Sequence, residues 1–421
     1  MRYGYLILTL VMMAGCAKQV KVPEGGYDLL LKGGHVIDPR NQIDGKRDVA
    51  ISAGKIARVA ENIPAADAKK VADVTGLYVT PGLIDLHAHV YASSDRWDAL
   101  TGAHSVYPDG FSFRSCVTTQ VDAGTSGWRN FEDFKDKVID RSKTRVLALL
   151  NIVALGMGGK NEQDTSDMEP AQLAAMAKKH PGIVVGIKTA HYSAKDWTAV
   201  ENAVKAGMLA NIPVMVDFGA NHPERPIRAL FLEKLRPGDI YTHAFSGLRH
   251  ELGEDGKLNP AMADGRKRGI IFDIGHGSGS FAWKVAKQAF KEGFWPDTIS
   301  TDLHTGSMNG GMKDMTNIMS KILSNGASLH DVVKMSTDKP AHVIKQTQLG
   351  SLTEGAEADV AVLRVDQGQF GFIDVSGSKS SGDKFCECEL TLRQGVVSWD
   401  LNGRTAEDWQ SYLAKNPRGK K

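Results

Sequence analysis

The sequence predicts an α/β fold: a (β/α)8 TIM barrel carrying a small β-sandwich-like domain built from both chain ends. Three observations predict it. Between residue 82 and about residue 345, eight short apolar runs alternate with helical patterns. On either side of that stretch the rhythm is strand and tight turn without helix. A chain of 421 residues is also too long for one small core, and a large barrel with an appended domain accommodates it.

The first 16 residues stand apart from the fold. Arg2 supplies a positive start, residues 6–13 a short apolar run, and Met13-Ala14-Gly15-Cys16 follows. The run is too short to span a bilayer and reads as a secretory signal. Small residues before a cysteine resemble a bacterial lipobox. Cys16 is then the lipidated residue, 17–26 a tether, and the expected location the bacterial cell envelope, on the periplasmic or outer-membrane face. Plain secretion with cleavage nearby is the alternative.

From 27 to 80 the strands are short. Tyr27-Asp28-Leu29-Leu30-Leu31-Lys32 runs into Gly33-Gly34, and Ala53-Gly54 joins 48–52 to 55–60 as a hairpin. The barrel is expected over 81–345. Leu83, Ile84 and Leu86 make an apolar first strand, as one buried on both faces should be. The following strands are 117–124, 145–153, 183–188, 213–218, 239–244, 269–276 and 298–302, with helices at 171–180, 196–211 and 281–293. Strand signals return at 358–363, 389–393 and 396–399, so 27–80 and 346–402 are expected to form one composite β domain. Residues 403–421 read as a helix centred on Trp409 with a basic tail. Beyond Cys16, the cysteines Cys116, Cys386 and Cys388 make no disulfide framework and are expected to be buried thiols.

The composition is that of a globular protein, 42% hydrophobic and 24% charged, with a net charge of +2. It has no basic stripe, which argues against a nucleic-acid partner.

In such a barrel, chemistry sits at the carboxyl ends of the strands. Strand one ends in His87 and His89, which share one side because they are two apart. Strands four to eight end in Lys188, Asp217, His243, His276 and Asp302, the last followed by His304. So many potential ligands at one rim point to divalent metal, since imidazole suits zinc, manganese, iron or nickel. A buried ammonium at Lys188 is costly, whereas its carbamate is an anion with two oxygens. The plain alternatives are a salt-bridged core lysine at Lys188 and a helix cap at Asp302.

Thr80-Pro81-Gly82-Leu83-Ile84-Asp85-Leu86-His87-Ala88-His89 resembles the strand-one signature of the amidohydrolase superfamily. Gly186-Ile187-Lys188, Thr242-His243 and Ser300-Thr301-Asp302-Leu303-His304 resemble its strand-four, strand-six and strand-eight signatures, and the deacetylase and dihydroorotase-like branch is most similar. The resemblance implies a metal-dependent hydrolase of amide or ester bonds, with two divalent ions, zinc foremost. His87 and His89 would bind the buried ion, carboxylated Lys188 would bridge, and His243 would bind the outer ion. Asp302 would bind metal and act as general acid/base.

Strand five departs from the pattern, with Asp217 where the two-ion arrangement has histidine. Three readings stay open: Asp217 ligates through oxygen, His222 swings in, or the centre holds one ion. If Asp217 ligates, its charge favours harder cations. His276, His191 and His304 are expected to contact substrate. The loop 91–115, with Trp97, Tyr107, Phe111 and Phe113, is expected to form a lid or pocket wall, and 308–315 a mobile wall or a helix start.

The leading expectation is removal of an O-acyl or N-acyl group from a small polar molecule. A cyclic amidase or deaminase uses the same residues. A surface lipoprotein that only binds metal or ligand is the non-enzymatic reading, against which Asp302 argues. The sequence leaves the oligomeric state open, and a homo-oligomer is compatible with it.

Overall fold

The computed structural model describes residues 22–91 and 104–417. The expected signal sequence with Cys16, the start of the expected tether, Trp97 and residues 418–421 lie outside the described residues. Among the described residues no helix is long and apolar enough to cross a membrane.

The chain opens with β1 (Leu29–Asp38), β2 (Ile43–Ser52), β3 (Lys55–Ala60), β4 (Val71–Asp73) and β5 (Tyr78–Pro81). The barrel strands follow: β6 (Leu83–Ala88), β7 (Val117–Ala123), β8 (Arg145–Asn151), β9 (Val184–Thr189), β10 (Val214–Val216), β11 (Ile240–Tyr241) and β12 (Ile271–Phe272). The last strands are β13 (Val360–Ile373), β14 (Lys379–Arg393) and β15 (Val396–Asp400).

β6 to β12 form a parallel ladder in chain order. Residues 298–303 close it into a TIM barrel: the Ile274 amide donates to the Thr298 carbonyl (3.1 Å) and the His89 amide to the Leu303 carbonyl (2.9 Å). This eighth strand stays irregular because Asp302 adopts φ +51°, which interrupts regular pairing. β6 and β7 are buried along their whole length, as strands covered on both faces must be. Helices α1 (Pro170–Lys179), α2 (Thr198–Ala210), α3 (Pro260–Arg268), α4 (Trp283–Lys291), α5 (Met315–Leu323), α6 (Leu329–Ser336) and α7 (Asp338–Val343) follow their strands. α3 shows why they begin and end where they do. Asn259 caps it, Pro260 needs no amide partner in its first turn, and Gly269 at φ +93° stops it.

Both chain ends contribute to one mostly antiparallel sheet, in the order β15-β14-β13-β5-β1-β2-β3, with β4 beside β1. The junction is β13 against β5, where Val360 faces Pro81 and Leu363 faces Tyr78. Leu29, Leu31, Val49, Val79, Val360 and Leu390 fill one face of it.

The β13–β14 hairpin is far longer than the strands expected at 358–363 and 389–393. Its outer half is rich in Gly, Ser and Gln, so it carries little strand signal. Tertiary contacts hold it there: the Cys386 amide donates to Ser320 Oγ (2.8 Å) and Trp283 Nε1 to the Phe372 carbonyl (3.0 Å). The expectation of buried thiols is corrected for two cysteines. Cys116, before β7, is disulfide-bonded to Cys388 on β14, with Cα atoms 5.4 Å apart and a sequence separation of 272. Such a pairing has no local signature. Cys386 remains a free buried thiol. The C-terminal helix is also shorter than expected, Trp409–Lys415.

Candidate metal centre

His87 and His89 lie at the end of β6 and Asp302 in the closing segment. All three are buried, and one donor atom from each falls within 4.8 Å of the others. His87 Nε2 is 3.4 Å and His89 Nε2 3.0 Å from Asp302 Oδ1. Asp85, one turn of the pleat before, ties the two segments together. Its carboxylate accepts the Thr301 amide (2.9 Å), the His87 amide (3.2 Å) and the Thr301 hydroxyl.

The imidazoles are held in the tautomer a cation requires. Thr242 Oγ1 donates to Asp273 Oδ2 (2.8 Å), so it must accept from His87 Nδ1–H (3.0 Å). That leaves His87 Nε2 as an acceptor, facing Asp302 and the Lys188 nitrogen. His89 has the same arrangement: its Nδ1 lies 3.0 Å from Thr125 Oγ1, which is hydrogen-bonded to buried Asp122. His243 Nδ1 donates to the Gly275 carbonyl (2.6 Å). Such outer hydrogen bonds orient metal-binding imidazoles. Burial, and then the neighbouring Lys188, push His87 well below its ordinary pKa, so it is neutral. Burial alone would raise Asp302, but positive charge on the His87 and His89 side holds it far below the usual carboxylate range, the role a bound cation would take. Two imidazoles and one carboxylate suit a borderline divalent cation.

Lys188, at the end of β9, places Nζ 3.2 Å from His87 Nε2. It is buried, and burial lowers its pKa against the opposing charges of Asp217 and Asp302. The glycines after β12 make room for this crowd. A Cβ on Gly275 (φ +48°) would strike Thr242 Oγ1 and crowd the His243 ring, and one on Gly277 (φ +52°) would strike the Asp302 carboxylate. His191, His243 and Asp302 themselves sit at φ +55°, +62° and +51°. Backbone strain concentrated on site residues is held by the surrounding structure.

The strand-five side is built differently. Asp217 Oδ1 accepts a hydrogen bond from the buried Arg249 guanidinium. Its Oδ2 lies 3.4 Å from His191 Nε2 and 3.5 Å from His243 Nε2. His191 Nδ1 in turn meets the buried Glu162 carboxylate at 3.1 Å. Burial opposes protonation of His191, but Glu162 and then Asp217 raise its pKa to about 9. Burial would likewise raise Asp217, yet Arg249 and His243 hold it well below the ordinary value.

The chain resembles a deacetylase of Brucella anthropi, 33% identical over 358 residues that span 82% of this chain and 86% of the relative. A deacetylase of Agrobacterium fabrum is 34% identical, with 78% of this chain and 80% of the relative covered. The chain belongs to the amidohydrolase superfamily. It is a metal-dependent hydrolase of the deacetylase and dihydroorotase-like branch. Among solved structures, an adenine deaminase superposes with a TM-score of 0.80 at 29% identity, covering 89% of this chain and all of that one. A dihydroorotase superposes at 0.75 with 28% identity, covering 88% and 98%. No family model matches the chain.

The hydrolase opens a cavity of about 290 Å³ over the centre. His89, Asp217, His243 and Asp302 reach its floor, and Met157, His191, Leu248, Arg249 and His304 line its walls. Of the residues expected at substrate, His191 and His304 line this cavity and His276 does not. His276 is buried, stacked on Phe281 with ring centres 4.7 Å apart, and 2.6 Å from Lys321 Nζ. The glycine-rich turn therefore admits the approach of metal-site side chains, and its histidine packs inward. His222 instead hydrogen-bonds the Ser193 carbonyl (2.7 Å). From the loop after β6, His104 lines the cavity, whereas Tyr107, Phe111 and Phe113 do not. Met315 begins α5, the helix start among the two readings of 308–315. Sequence reasoning missed Arg249, Glu162 and His104. Only His104, a histidine in a loop already suspected as a wall, carried any local signal. A depression of about 370 Å³ at the opposite face gathers Arg236, Lys339 and Lys345. Arg236 and Lys339 are paired with Asp239 and Asp297, at the barrel end opposite the one where this fold places its chemistry.

Proposed function

We propose that this protein removes an acyl group, O-linked or N-linked, from a small polar molecule, using a divalent ion held by His87, His89 and Asp302. The observation that carries the reading is the closure of two tautomer-matched imidazoles and one carboxylate on one point beneath a small cavity. The deacetylase relatives, matched over most of their length, favour deacylation over other chemistry at such a site. Zinc suits the donor set, and manganese, iron or nickel also take imidazole and carboxylate. When bound there, a divalent cation acts as a Lewis acid and brings the acidity of water into the neutral range.

The chain's own residues do the rest. Asp302, ionised and facing the cavity, takes the proton of the attacking water and returns it to the leaving oxygen or nitrogen. His243, with Nδ1 committed to Gly275, offers Nε2 beside Asp217. His191 and His304 orient the substrate from the walls, and Met157 and Leu248 give its acyl or leaving part an apolar surface. Lys188 is a candidate for carboxylation, because a buried amine close to His87 is easier to keep as an anion beside a cation than as an ammonium.

The adenine deaminase and dihydroorotase neighbours support a second reading, attack on a cyclic amide or amidine by the same residues. Turnover of acetyl esters and acetyl amides beside cyclic ureides separates the two. Deacylation that a chelator abolishes and added metal restores is the expected result. Turnover indifferent to chelation would overturn the reading.

Export with a lipid anchor at Cys16 belongs to the same proposal. The Cys116–Cys388 disulfide supports it, because such bonds persist in oxidising compartments. Incorporation of labelled palmitate that Cys16→Ser abolishes is the test.

A further inference from the structure

The rim has a second set of polar groups, and a guanidinium is at its centre. Arg249 is fixed on several sides. Its Nη2 donates to Asp217 Oδ1, its Nε to the Gly219 carbonyl (3.2 Å) and its Nη1 to Ser246 Oγ (3.3 Å). Behind it, the fully buried Glu251 carboxylate accepts the Arg249 amide (3.0 Å) and the Ser246 hydroxyl (2.6 Å). This is a built position: the guanidinium is anchored by a buried carboxylate network and still lines the cavity.

The placement matters for Asp217. That carboxylate stands at the end of β10, beside His243 and across from Lys188, where a second cation would have to sit. One of its oxygens is already engaged by a group that keeps its positive charge at any working pH. A divalent ion brought to the other oxygen would face that charge at short range in a buried site. Among the described residues, the only group of three His, Cys, Asp or Glu donors closing on one point is His87, His89 and Asp302.

We propose that Arg249 takes the place of a second ion, so that this protein holds one divalent cation, at His87, His89 and Asp302, and a guanidinium supplies the positive charge on the strand-five side. The proposal rests on the metal-hydrolase reading and fixes its ion count. It revises the expectation that Asp217 is a metal ligand and that its charge selects harder cations, since Arg249 neutralises that charge.

The test is the zinc content of the full chain after saturation and desalting, read by plasma emission. One zinc per chain is expected. Two would overturn the proposal and leave the hydrolase reading standing, whereas none would overturn both. In Arg249→Gln, the freed Asp217 should admit a second, weaker ion, and so should Arg249→Gln combined with Asp217→His. A content that stays at one in both would remove Arg249 from the role. Should the single variant fail to fold, Asp217→Leu with Arg249→Met deletes the pair together. The affinity of the remaining ion should then change by less than about 10-fold, and a loss of about 100-fold or more would mark Asp217 as a ligand.

Discussion

On one side of the barrel mouth, His87 and His89 are rings whose far nitrogens are tied through threonine hydroxyls to the buried carboxylates of Asp273 and Asp122. On the other side, Asp217 and Glu162 face the cations Arg249 and His191. Both sides bury charge at the ends of parallel strands. The first turns two ring nitrogens and the Asp302 carboxylate onto one point, an arrangement that a cation satisfies. The second satisfies its charges internally. A half shaped for a cation and a self-neutralised half therefore sit in the same rim, and mutations should affect the two halves differently.

The largest expected effect is on catalysis at the first side. Asp302→Asn keeps the shape but removes the proton acceptor, and kcat for the acyl substrate should fall by about 1,000-fold or more. A fall of under about 10-fold would deny Asp302 its role. Next comes stability on the second side. Arg249→Met strands the Asp217 carboxylate in a buried site and should cost about 3–5 kcal/mol in urea unfolding, much of it recovered when Asp217→Leu is added. An equal loss in the double variant would mean that the pair is not coupled. A smaller effect separates the halves directly. Thr242→Val breaks the Asp273–Thr242–His87 chain and should weaken ion affinity by about 10–100-fold in chelator competition, whereas Glu162→Gln should change it far less. Equal losses would erase the distinction between the sides.

The smallest effect is a pH dependence. His191, raised to about 9 from its ordinary 6.5, gives stability that is complete below about pH 6.5 and lost as pH rises through 9. The ring is 42% exposed, so solvent screens the pair and the effect is modest. In chelator-treated protein, the gap in thermal midpoint between wild type and His191→Gln should be widest near about pH 6 and close by about pH 10. A gap that grows with pH would contradict the Glu162–His191 pairing.

The first side was legible in the sequence and the second only through Asp217 and His191, for a physical reason. His87, His89, Lys188, His243 and Asp302 all end strands, and strands announce themselves as apolar runs, so their last polar residues can be read off in order. Arg249 and Glu162 come from loops after β11 and β8, where nothing periodic marks a residue that will meet Asp217 or His191 across the rim. His276 shows the limit from the other direction. It lies just past a strand, yet its side chain is claimed by Lys321, a residue 45 positions on whose approach depends on how α5 packs. The Cys116–Cys388 bond and the long β13–β14 arm were hidden likewise, because both are made by contacts between distant segments.

The account turns on where the cation sits. Anomalous diffraction at the zinc edge from crystals of the zinc-saturated protein measures that position directly. It should show a single strong peak among His87 Nε2, His89 Nε2 and the Asp302 carboxylate, with Asp217 still paired to Arg249. A peak of equal strength between Asp217 and His243, or no peak at the histidine pair, would contradict it.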